Sequence, residues 1–74
     1  MNTSSRFQNI DNFSAVAFAE ATSAYRAAPV AHKGIAAKSA AFAAIPACFG
    51  FEAAQAHALR VAAKVIDMEQ GGIV

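Results

Sequence analysis

The chain has a single cysteine, a single leucine and little charge of either sign among its 74 residues. A lone Cys48 can close no internal disulfide, which fits a reducing compartment. His32 and His57 lie far apart with no second soft ligand beside either, so no metal site is expected. No local motif joins Cys48 to either histidine as nucleophile and base, and a cysteine close to a proline and a phenylalanine reads as a small apolar filler. Asp11, Glu20, Glu52, Asp67 and Glu69 show no pairing suited to acid/base work, and glycine loops that cradle phosphate are missing. These absences argue against an enzyme and against any cofactor. Six basic and five acidic residues are scattered along the chain and leave a net charge of +1, too weak a field to draw it to nucleic acid or acidic lipid as a whole. The opening MNTSSRFQNIDNF lacks the charged start and apolar run of a secretory signal, so a cytoplasmic location is expected.

What is present is alanine: 21 residues, which makes the 57% hydrophobic content a poor measure of core volume. Six phenylalanines and one tyrosine must supply much of the burial. A chain this short buries only about 60% of its unfolded surface, and small domains without disulfides or metals commonly rely on association. The stretch Gly34 to Phe51, GIAAKSAAFAAIPACFGF, carries one charge, Lys38, and must be covered by the rest of the chain. The uncharged run from Ser39 to Phe51 is shorter than the roughly 20 residues that span a bilayer, and Pro46 and Gly50 interrupt it.

These features predict an all-α fold, a small three-helix bundle with helices over about 7–28, 30–45 and 51–69, which a second copy of the chain would complete by homodimerisation. One domain spans 1–74, with frayed ends over about 1–5 and 71–74, and no repeat or linker divides it. In the first helix Phe7, Ile10, Phe13, Ala17, Phe18, Ala21, Ala24, Tyr25 and Ala28 share an inner face, while Asn12, Ala19, Thr22, Ser23 and Arg26 point away. Ser5 with Gln8 makes a capping box, and Asp11 or Asn12 offers a later start. Pro29 ends this helix at Ala28 and suits the first turn of the next, so the second helix folds back on the first.

In the second helix Ile35, Phe42 and Ile45 share one side with the Lys38 stem, Ala37, Ala40 and Ala44 line the other, and both sides are expected to be covered. Gly34 either delays its start or permits a close crossing. Pro46 and Gly50 turn the chain. The third helix places Phe51, Ala54, Ala58, Ala62, Val65 and Ile66 inward and Ala53, His57, Arg60, Lys64 and Asp67 outward, with Val61 at the edge, and Gly71-Gly72 stops it.

Candidate partner-binding residues are Phe49 and Phe51, flanking Gly50 at the second corner, and His57, Arg60 and Lys64, a basic stripe on successive turns of the third helix. Both rings cannot easily face one small core, and exposed aromatics anchor interfaces. The bland reading is that the rings close the end of the bundle and the stripe is ordinary solvated surface. The stripe also suits phosphate, which makes a small DNA-binding regulator the alternative function. Against it, the turn IPACFGF is not that of a helix-turn-helix unit, and FEAAQAHA opens the would-be recognition helix without arginine or lysine. The expectation is a non-enzymatic helical module whose partner is itself or a larger protein, such as an accessory inhibitor, bacterial or phage, of a host machine.

Overall fold

The computed structural model describes residues 9–71 as three packed α-helices, each entered through a short 3-10 turn, with no strand among the described residues. α1 runs Ser14–Ala27, α2 Lys33–Ala43 and α3 Phe51–Glu69, preceded by the turns Ile10–Phe13, Val30–His32 and Ala47–Phe49. The expected bundle is present, and its first two α-helices are shorter than the apolar pattern suggested because their ends are tightened turns. Phe7, the Ser5/Gln8 box and the frayed ends, apart from Gly71, lie outside the described residues. Asn9 caps the first turn instead of Asp11 or Asn12, its side chain accepting the Asp11 amide at 3.0 Å. No described helix is long and apolar enough to cross a membrane.

Prolines and glycines set the corners as their chemistry requires. Ahead of Pro29, Ala28 is extended (φ −85°, ψ 153°), which ends α1. Gly50 takes φ 94°, ψ 152°, a conformation that L side chains rarely adopt, and α3 begins on the next residue. Gly71, at φ 70°, stops α3 as its amide donates to the Met68 carbonyl at 3.1 Å. Gly34 is not needed for a close crossing, since a Cβ there would meet Ile66 Cδ1 at an ordinary 3.7 Å.

The core is built from alanine faces and a few larger side chains. Ala17 and Ala21 of α1, Ala37 and Ala41 of α2, and Ala54, Ala58 and Ala62 of α3 are buried, joined by Tyr25, Ile45, Val61 and Val65. Pro29 stands midway between Tyr25 and Lys33, and Lys33 Nζ donates to the Tyr25 carbonyl at 2.8 Å while lying 5.0 Å from the centre of the Tyr25 ring. Ala17 and Ala21 of α1 and Ala37 and Ala41 of α2 belong to the same buried cluster, and small side chains of this kind let two backbones approach.

Ile35 departs from the expected packing. It is 65% exposed, because α2 buries one broad face centred on Ala37, Ala41 and Ile45, and Ile35 lies past its flank. Lys38 and Phe42 on that flank are half-buried.

At the far end Arg26 of α1 grips Glu69 of α3 through three hydrogen bonds of 2.8–3.1 Å. The hydrogen-bonding guanidinium, aided by its charge, holds the Glu69 carboxyl below its usual range. A carboxyl that titrates lower in the folded than in the unfolded chain adds stability above the ordinary carboxylate range, and that share is lost as pH falls through the folded value. Glu69→Gln should therefore lower the melting temperature slightly near neutrality and match the parent in strong acid. The effect is small because Arg26 is largely exposed and water screens the pair. Melting curves across pH check this, and a difference that does not change with pH would contradict it.

Candidate functional site

Two surfaces flank α3, one along each neighbouring helix. Along α2, a groove is lined by Lys38, Ser39 and Phe42 on one wall and Phe51, Gln55 and Ala58 on the other. Phe51 was expected to point inward, yet it is 65% exposed. As the first residue of α3 it stands at the end of the helix pair, where its ring meets the edge of Phe42 (centroids 5.6 Å, planes at 64°) and keeps one face in solvent. Leu59, two turns further along α3, is 49% exposed, and Ile35, one turn before Lys38 on α2, is also exposed. Phe42 and Phe51 are the large apolar side chains of this seam, with Lys38, Ser39 and Gln55 as its polar lining. Phe49 behaves differently from Phe51: it is half-buried, with its ring set edge-on to Phe13 at 5.6 Å. Cys48 is exposed in the turn beside it and does not fill the core.

Along α1, an open cleft of about 450 Å³ lies between the helices. Ala15, Phe18 and Val61 provide its apolar surface, while Asp11, Ser14, His57, Arg60 and Lys64 provide its polar groups. His57, expected to face outward, is 5% exposed. The reason is that α3 packs against two helices, so its covered arc is wider than one stripe and takes in His57 and Val61 on the α1 side. The imidazole Nε2 lies 2.8 Å from Ser14 Oγ, and Nδ1 lies 3.1 Å from a terminal nitrogen of Arg60. Asp11 Oδ1 is 3.8 Å from the same Nδ1, too far for a hydrogen bond.

Arg60 has only donors, so Nδ1 must offer its lone pair and the ring proton sits on Nε2, donated to Ser14 Oγ. In this tautomer His57 cannot take a proton from Ser14. The Ser14 hydroxyl hydrogen is left to donate elsewhere, and no acceptor for it appears among the described residues. Of the basic stripe, Arg60 and Lys64 are exposed at the cleft rim, and His57 anchors Arg60 from beneath.

Sequence reasoning missed Ser14 and Asp11. Their only signal was position, at the entry to α1, and nothing in one sequence tells which turn of α3 that entry meets. Comparison with protein-family models, with curated proteins and with solved structures yields no match to this chain.

Proposed function

We propose that this protein is a non-enzymatic helical interaction module that binds a larger protein through the α2–α3 seam and modulates its activity. The observation that carries this reading is Phe51, two-thirds exposed at the start of α3, with Ile35 of α2 and Leu59 of α3 exposed as well. An aromatic anchor held edge-on by a neighbouring ring loses little freedom on docking, and Lys38, Ser39 and Gln55 form the polar surround that interfaces commonly place around such anchors. The partner suited to it presents an apolar ridge, such as the face of an amphipathic helix. The DNA-binding alternative draws less support, since Asp11 shares the cleft with Arg60 and Lys64 and opposes a run of phosphates there.

The double variant Ile35→Ser/Phe51→Ser tests the reading. Both side chains are exposed, so helicity should be unchanged and melting only mildly lowered, while binding should weaken by about a hundredfold or more if the anchor contributes as such residues do. The measurement pairs retention of a larger protein on immobilised parent and variant with the solution mass of each by light scattering. Retention by the parent alone supports the reading. A parent that is a dimer, and is made monomeric by the two substitutions, would show the seam occupied by a second copy and defeat it.

A further inference from the structure

We infer that the α1–α3 cleft is a binding site for an organic monocarboxylate carried on a short hydrocarbon stem. The inference does not depend on the seam, because the cleft lies on the opposite flank of α3. It is an open cleft of about 450 Å³, room enough for a small organic acid to lie with its head group at Arg60 and one side in solvent. Two cations, Arg60 and Lys64, and one carboxylate, Asp11, leave the lining with a single net positive charge. That balance matches a monoanion; a phosphate dianion would bring a second negative charge toward Asp11 without a third cation to meet it.

Donor geometry points the same way. Arg60 is oriented from below by the buried His57, its further N–H groups meet no acceptor among the described residues, and a guanidinium matches the two oxygens of a carboxylate. Ser14, whose oxygen already receives the His57 proton, has its own hydrogen to give. His57 is thus a positioning residue: it sets Arg60 with one nitrogen and Ser14 with the other. Ala15, Phe18 and Val61 would cover the stem and provide no polar partner for a second head group.

The full chain, labelled with ¹⁵N, is titrated with phenylacetate and, separately, with 2-phenylethanol and inorganic phosphate. Phenylacetate should give saturable shifts at Ser14, His57 and Val61. Both controls should bind about tenfold more weakly or worse, one lacking the charge and the other the stem, and Arg60→Gln should cost a similar factor. Lys64→Gln, on the exposed rim, gives a second variant should the first perturb the fold. No saturable shift at these residues, equal binding of either control, or affinity unchanged in both variants would overturn the assignment. N-acetylglutamate α-amide separates the sources of the carboxylate: weaker binding than phenylacetate supports a free acid, and equal or tighter binding supports an acidic side chain presented by a partner.

Discussion

Tyr25→Ala is expected to abolish the cooperative unfolding of this domain or to lower its midpoint by at least roughly 12 °C. Tyr25 is the largest of the buried side chains, 8% exposed in a core otherwise made of alanine, two valines and one isoleucine. Removing a buried aromatic ring typically costs about 3–5 kcal/mol, and a single core in a chain of this size supplies roughly the same amount in total. The ring also lies beneath Lys33, and its hydroxyl receives a long 3.5 Å hydrogen bond from Gln70, so one side chain engages the starts of α2 and of the tail beyond α3. Tyr25→Phe isolates these contributions: it keeps the ring and the cation above it and loses only the long hydrogen bond, below about 1 kcal/mol. Thermal melting followed by far-UV circular dichroism should show no transition, or one lowered by at least roughly 12 °C, for the alanine variant, and a shift of at most about 8 °C for the phenylalanine variant. Equal, small shifts in both would mean that the alanine faces hold the bundle without the ring.

The three helices were legible because their corners are written in residues with few conformational options. Pro29 forces Ala28 out of helical geometry, and Gly50 occupies backbone angles that no other residue takes easily. The inner faces of α1 and α3 were legible for a different reason: Ala17, Ala21 and Tyr25, and Ala54, Ala58, Ala62 and Val65, recur at helical spacing. What the wheel could not give was the width of each covered arc. A helix with two neighbours buries a wider sector than a helix with one, which turns His57 inward, while Ile35 lies past the flank of its covered face and Phe51, the first residue of α3, stands at the end of the helix pair, so both stay in solvent.

The polar cleft was only partly legible for a further reason. Arg60 and Lys64 stand out as a stripe, but Ser14 meets His57 only through the relative register of α1 and α3, a long-range quantity that no local pattern carries. The result is that residues singled out for charge proved to belong with residues singled out for nothing. The apolar seam has the opposite history. Phe51 was both an expected core residue and a candidate anchor, and its exposure removes it from the core.

Ala41→Leu is expected to destabilise the protein by about 1–3 kcal/mol, whereas Ala43→Leu on the same helix should change stability by no more than about 0.5 kcal/mol. Ala41 has no exposed surface and shares one buried cluster with Ala17 and Ala21 of α1, which are also fully buried. Three added carbons there have no void to enter, so either the leucine leaves its preferred rotamer or α1 and α2 separate. Separation would carry Tyr25 and Ile45 away from their neighbours, because both belong to the same buried cluster. Ala43 is exposed, and its leucine would extend into water at nearly the same helix propensity. The paired comparison therefore cancels the local preference and reads the closeness of the helices alone. Melting temperatures lowered by roughly 4–24 °C at position 41 and within about 4 °C of the parent at position 43 would establish that alanine is required there for its size. Equal values would show that the α1–α2 contact has room to spare, and that alanine is abundant here for its helix propensity and not for close packing.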